Sequence, residues 1–358
     1  MQKTAQEVLE HYALGAGLMT AWEEPPQVKS LAERLQSRPY LMAPMAGVSD
    51  AAWRIMARAG GAALAYSEMV SVAGIHFGGN KTWDLALPHE FEPELAVQLF
   101  GAQVEQFREA SEQVVKRVGK KLVLIDINMA CPVPKVTRKG EGSALMLDSG
   151  LASEIIAACR EGIAAGAEYL GIEPVPVSCK IRRGYKMDNE LAPKFAQKMQ
   201  EAGVSAIAVH GRFANQFYRG EADWSTISRV VDAVDIPVIA SGDIKDADSA
   251  KSVREQTGAT AVMVARGTYG NPWIFNDAQL LQLGKTPPQH DLHQRLAAFR
   301  CHVALLEATG AHIARARSIA GWYFRGIPDA AEWRDQAMHC LDAQSFIAMA
   351  KKIEETLS

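Results

Sequence analysis

Leu122-Val123-Leu124-Ile125-Asp126-Ile127-Asn128-Met129-Ala130-Cys131-Pro132-Val133-Pro134 joins a hydrophobic run to an amide, a thiol and two prolines. The run reads as a strand buried on both faces, as in a parallel sheet. Proline has no amide hydrogen to give to a ladder, so Pro132 and Pro134 turn the chain out of the sheet just after Cys131. The cysteine then stands beyond the C-terminal end of a strand, where α/β proteins carry out their chemistry. Lys135, Arg138 and Lys139 follow, then Gly140-Glu141-Gly142-Ser143, which together read as a mobile basic loop. A thiol there suits an acid or a nucleophile. A structural cysteine fits the residue equally well, because free cysteine is among the most buried residue types.

Working outward, short apolar runs recur at Tyr40-Ala43, Ala63-Ser67, Leu95-Phe100, Leu122-Asn128, Val177-Ile181, Ala206-His210, Val238-Ser241 and Ala261-Ala265. Each is followed by helix-like sequence, and eight such units over roughly 240 residues predict an α/β fold of the (β/α)8 barrel type rather than an open sheet. The fourth crossover, Met129 to Pro176, is the longest and carries the Cys131 loop and a Gly/Ala-rich helix. After Pro272-Trp273-Ile274-Phe275 the β rhythm stops, and past Pro287-Pro288 the pattern is helical. The predicted organisation is a helical leader over 1–38, a catalytic barrel over 39–285 and an all-helical domain over 286–358. In the leader, Pro25-Pro26 separates two short helices. Its Gly15-Ala16-Gly17 lacks a preceding strand and has Thr20 in place of a third glycine, so it reads as a turn and not a dinucleotide loop.

The 358 residues carry a net charge of −3, which argues against a generally basic nucleic-acid coat while leaving room for local basic patches. Five cysteines, none in a Cys-x-x-Cys pair, predict a reducing, cytoplasmic setting with no metal site and no disulfide framework. The absence of a signal-like start and of any long apolar run predicts neither secretion nor membrane spanning.

In a barrel the polar residues at strand C-termini converge on one pocket. Here that rim reads Pro44-Met45-Ala46, Ser67-Glu68, Gln98, Asn128 with Cys131, Lys180, His210, Ser241-Gly242-Asp243 and Ala265-Arg266-Gly267. The last two groups offer backbone N–H donors and a guanidinium at strands seven and eight, the usual phosphate position of this fold. Lys180 lies in a strand that would bury it, so it needs a polar ligand or a rim acid such as Glu68. His210 is either a ligand contact or a hydrogen-bonded core residue. Gln98 both donates and accepts, which suits the edge of a heteroaromatic ring. A ring along strands three to six with a phosphate at seven and eight describes flavin mononucleotide (FMN).

The ordered motifs resemble those of the tRNA-dihydrouridine synthase family, in wording nearest the bacterial B-type subgroup. They are Ala43-Pro44-Met45-Ala46-Gly47-Val48-Ser49-Asp50, Val97-Gln98-Leu99-Phe100-Gly101, Asp126-Ile127-Asn128-Met129-Ala130-Cys131-Pro132, Cys179-Lys180-Ile181-Arg182, Val209-His210-Gly211-Arg212, Pro237 to Ile244, Ala265-Arg266-Gly267 and Asn271-Pro272-Trp273-Ile274-Phe275. The resemblance implies an FMN enzyme that uses NADPH to reduce the C5–C6 double bond of uridine in tRNA. By position, Pro44, Met45 and Ala46 would lie under the flavin, and Gln98, Lys180 and His210 along its ring. Ser241, Gly242, Asp243, Ala265, Arg266 and Gly267 would surround its phosphate, and Asn128 would position the flavin or the uracil. Cys131 would be the general acid that protonates C5. Three residues depart from the family pattern: Ala130 and Ala265 replace glycines, and Ser241 replaces an asparagine. The competing expectation is a small-molecule FMN oxidoreductase of the same barrel type, acting on free pyrimidines or related enones.

For the RNA itself, Arg317, Gly321 and Arg325 lie at i, i+4 and i+8, which predicts one basic stripe, flanked by Arg315 and the aromatic Trp322 and Tyr323. An amphipathic helix whose aromatics pack inward explains the same pattern. Lys135, Arg138, Lys139, Arg182 and Arg212 would extend the basic surface across the rim.

Overall fold

The computed structural model describes residues 3–20 and 30–357; Pro25-Pro26 lies outside them. Eight parallel strands, β1 (Tyr40–Met42), β2 (Tyr66–Ser71), β3 (Leu95–Phe100), β4 (Leu122–Met129), β5 (Val177–Gly184), β6 (Ala206–Phe213), β7 (Val238–Ser241) and β8 (Ala261–Val264), form one sheet in the order 1-8-7-6-5-4-3-2. A bridge between Met42 and Ala65 joins its two ends, so the sheet closes into the expected barrel. The second strand starts later than its apolar run. The Ala63 carbonyl is taken by Arg34 and Arg58 side chains below the barrel, which leaves Ala63-Leu64 as an approach segment.

Side chains alternate along each strand, and the alternation sorts two cores. Leu41, Ala96, Leu124, Ala206, Ala208, Ile239, Ala261 and Met263 point inward and fill the lower barrel, with Leu35 of the Leu31–Ser37 helix beneath them. Met42, Val97, Ile125, Ile127, Cys179, Ile181, Ile207, Val209, Ala240 and Val264 point outward against the helices. Double burial explains why the strands read as unbroken apolar runs.

The long fourth crossover contains the Ser149–Leu170 helix, begun by the Asp148 side chain on the Leu151 N–H and ended by Gly171 in the left-handed region. It packs on the Val104–Val118 helix. A Cβ at Gly162 would strike the Arg108 carbonyl, and one at Gly166 would strike Val115, so the two glycines allow the close approach.

Beyond the barrel, helices Leu292–Ala308, Arg315–Tyr323, Ala330–His339 and Ala343–Leu357 share a second core. The leader divides between the two cores. Its Ala5–Tyr12 helix adds Ala5, Val8 and Leu9 to the helical core, whereas Leu31–Ser37 closes the base of the barrel. Among the described residues no helix is long and apolar enough to cross a membrane.

Candidate functional site

Above the apolar floor, the same inward-facing positions turn polar level by level. In register, Gln98, Asp126 and Ser178 come first, then Asn128 and Lys180, then Arg182, His210 and Ser241, with Arg212 beyond His210 on the same strand. All but Lys180 are buried. The residues expected at strands three to seven therefore do converge on the mouth of the barrel.

Their hydrogen bonds are specific. Ser178 Oγ donates to Asp126 Oδ1 at 2.6 Å, and Gln98 Nε2 donates to Asp126 Oδ2 at 2.7 Å. Asn128 Nδ2 donates to Gln98 Oε1 at 2.8 Å, while Asn128 Oδ1 accepts the backbone N–H groups of Ala130 at 3.1 Å and Cys131 at 2.9 Å. From the other side Arg182 Nε holds the Ala130 carbonyl at 2.8 Å. The segment expected to be a mobile basic loop is instead folded back. Pro134–Thr137 forms a helical turn, Gly142–Leu147 a 3-10 helix, and the Ser143 N–H donates to the Cys131 carbonyl at 3.0 Å. A Cβ at Gly142 would lie 2.8 Å from that carbonyl, so the return needs glycine there. Cys131 remains half-buried. Burial raises its pKa, opposed by the Val133 N–H and by Arg182 and Lys180, so the thiol keeps its proton at neutral pH.

The Lys180 ammonium makes no hydrogen bond or ion pair with any described residue. Glu68, its possible partner, accepts instead from the Gly47 N–H at 2.6 Å and from Arg315. Burial first, and Arg182 second, bring the Lys180 pKa down to about 8 against the opposing pull of Asp126 and the Cys131 thiol. His210 is driven well below its ordinary value by burial and by the surrounding Arg182, Lys180, Arg212 and Arg266, so its ring is neutral. A neutral imidazole among cations serves as a hydrogen-bonding group, not an acid.

At the ends of β7 and β8, Gly242 and Asp243 have φ of +114° and +57°, and no described residue accepts from their backbone N–H groups. The Asp243 side chain is not directed at a ligand: it accepts from Arg212 and from the Ala222 N–H at 2.7 Å. Ala265 has φ −105°, which requires no glycine. Gly267 lies against the Ile244 carbonyl, so its lack of a side chain serves packing. Arg266 is exposed and lies over the Tyr218 ring, 4.7 Å from its centroid. Two open N–H groups, a free guanidinium and an unpaired ammonium fit a planar heterocycle bearing a phosphate. Pro44, Met45 and Ala46 lie in the loop after β1, beside this opening.

The basic residues expected to touch RNA divide. Lys135, Arg138, Lys139 and Arg325 are exposed. Arg182 and Arg212 are not surface residues, at 3% and 2% exposure; β5 and β6 run on past them, and both donate to backbone carbonyls inside the mouth. Arg315 is held by Asp50 at 2.7 Å and by Glu68. Arg317 is half-buried and donates to the Cys340 carbonyl, and its helix ends at Tyr323, so Arg325 is not on a common face with it. Trp322 stacks on Tyr269 at 4.1 Å and Tyr323 is fully buried, so neither offers a free stacking surface. Reading the sequence missed Asp126, Ser178 and Tyr218. The first two were signalled by position, each two residues before a rim residue on the same strand face.

Residues 41–358 match the family model described as dihydrouridine synthase (Dus). The tRNA-dihydrouridine synthase B of Xanthomonas axonopodis pv. citri is 36% identical over 301 residues, 82% of this chain and 86% of that protein. The protein of the same name from Pseudomonas aeruginosa is 36% identical over 319 residues, 87% and 91% of the two chains. A solved structure of ligand-free DHODH from Eimeria tenella matches with a TM-score of 0.51 at 15% identity, covering 78% of this chain and 95% of that one, a likeness of fold.

Proposed function

The chain belongs to the dihydrouridine synthase family, and from that premise we propose that it is an FMN-dependent tRNA-dihydrouridine synthase. In this reading it reduces the C5–C6 double bond of uridines in tRNA, with NADPH as reductant and Cys131 as proton donor, and it works in the cytoplasm. The observation that carries the reading is the Cys131 thiol, protonated, half-buried and pinned through both flanking peptide groups beside the polar strand ends of the barrel.

What the cofactor supplies when bound is a hydride for C6 of the uracil. The chain's own groups do the rest. Lys180, Gln98 and His210 hold the heterocycle; the Gly242 and Asp243 N–H groups and Arg266 hold its phosphate. In this reading the barrel mouth takes one flipped base, whose reduction requires a proton at C5 as hydride arrives at C6. Cys131 Sγ delivers that proton. Its raised pKa suits an acid and not a nucleophile, and neutral His210 is not a competing donor. The exposed Lys135, Arg138 and Lys139 beside the mouth, with Arg325 on the helical part, contact the RNA backbone.

The test is Cys131→Ala. Flavin content and NADPH oxidation stay at wild-type levels, while dihydrouridine formation in a single turnover falls about 10²–10⁴-fold, the usual cost of losing a general acid. Dihydrouridine mapped at nucleotide resolution in RNA from cells with and without the protein identifies the substrate. Wild-type product yield from the alanine variant would remove Cys131 from the reaction.

A further inference from the structure

Four buried side chains at the floor of the mouth form a single directed chain: Ser178 to Asp126, Gln98 to Asp126, Asn128 to Gln98, and the Ala130 and Cys131 N–H groups to Asn128. The two ends have fixed polarity. Backbone N–H groups only donate, so Asn128 must turn its oxygen toward Cys131 and its NH2 toward Gln98. Gln98 must then present its oxygen to Asn128 and its NH2 to the next group, which must be an acceptor. An ionised carboxylate accepts at every lone pair, and that is what Asp126 provides. Both ends demand the same direction, and neither amide can invert without setting donor against donor.

We propose that Asp126 is a positioning residue for the proton donor: by fixing the orientation of the Gln98 and Asn128 amides, it aims the peptide that carries Cys131. This rests on the reading of Cys131 as the acid. Asp126 itself does not touch the thiol, being 1% exposed on the level below. Its requirement is for an acceptor and not for a charge. Asparagine at 126 offers Gln98 a carbonyl oxygen and gives its NH2 to Ser178 Oγ, which accepts as readily as it donates; leucine offers nothing.

The thiol reports on this directly. In the purified full-length protein, iodoacetamide alkylation of Cys131 is followed by mass spectrometry, with partly exposed Cys340 as internal reference. Asp126→Leu frees both amides, loosens the Cys131 peptide and exposes the thiol, so the Cys131-to-Cys340 ratio of rates rises about tenfold, the change matching one lost buried hydrogen bond. Asp126→Asn stays near the wild-type ratio. A folded leucine variant with the wild-type ratio overturns the proposal, as does equal acceleration in both variants. Should leucine at 126 prevent folding, Gln98→Met breaks the chain one step later, and a wild-type ratio there overturns it as well. In the unaltered protein the Ala130 and Cys131 amides exchange slowly with solvent, and fast exchange would contradict the chain without any variant. The alkylation readout needs no RNA, so it separates from the activity test. If Cys131→Ala keeps dihydrouridine formation, the acid role fails while the positioning of the peptide stands or falls on the ratio alone.

Discussion

Lys180 is the residue whose chemistry depends most on what binds. The fold lowers its pKa from 10.5 to about 8, so holding the charge costs more than in the unfolded chain although the ammonium still predominates at neutral pH. Stability from this group is present above the unfolded pKa and is lost as pH falls through about 8. A ligand acceptor facing the ammonium reverses the preference and binds together with a proton. FMN affinity is therefore expected to be level below pH 8 and to fall above it, approaching tenfold per pH unit. Lys180→Met weakens binding and flattens the profile; fluorescence titration of released flavin between pH 7 and about 9.5 measures both. A wild-type affinity that is flat across that range excludes the ammonium as a contact. Rim residues such as Lys180 and His210 were legible in the sequence because a polar group ending an apolar run is conspicuous. Arg182 and Arg212 were misread because hydrophobicity stops at Ile181 and His210 while the strands do not. Each lies two residues past a rim group on the same face, and hydrogen bonds to carbonyls carry the backbone onward where apolar packing has ended.

Among the elements, the helix pair Val104–Val118 and Ser149–Leu170 shows what a sequence conceals. The small residues from Gly162 onward carry no chemistry, and their purpose appears only when the partner helix is in place. The Arg108 carbonyl occupies the volume a Cβ at Gly162 would need, and backbone cannot swing aside as a long side chain can. In an isolated helix Gly→Ala is favourable by up to about 1 kcal/mol. In this one the clash dominates, and Gly162→Ala is expected to destabilise the protein by about 1–3 kcal/mol, the range for overpacking. Denaturant unfolding checks the sign: a midpoint at or above wild type would mean the helices separate at no cost. The tail helix is the opposite case. Its composition advertised a basic face, but Arg315 and Arg317 are already engaged within the protein and its end at Tyr323 breaks the stripe. Periodicity locates a helix; which of its cations remain free depends on carboxylates and carbonyls far away in sequence.

At the scale of the whole molecule, the tail and the barrel are joined through the site. Arg315 reaches across to Asp50 and Glu68, and Glu68 in turn holds the Gly47 N–H of the loop after β1. The helices thus brace the mouth with one of their cations and cannot also spend it on RNA. With a net charge of −3 the molecule attracts a polyanion only through what is exposed near the opening. Lys135, Arg138 and Lys139, one short segment beyond Cys131, are exposed together. In the proposed function these three residues meet the phosphate backbone that enters at the mouth, and Arg325, exposed on the helical part, is assigned to the rest of the RNA. Each phosphate neutralised adds somewhat less than one unit to the slope of log K against log salt, so Lys135→Glu, Arg138→Glu and Lys139→Glu combined should lower that slope by about two to three. Arg325→Glu alone should lower it by about one at most. Filter binding of tRNA across a salt series, with unfolding temperatures as a folding control, compares the two. A triple variant with the wild-type slope and affinity would move recognition away from the Cys131 segment. The docking surface would then have to be sought on the helices, among cations other than Arg315 and Arg317.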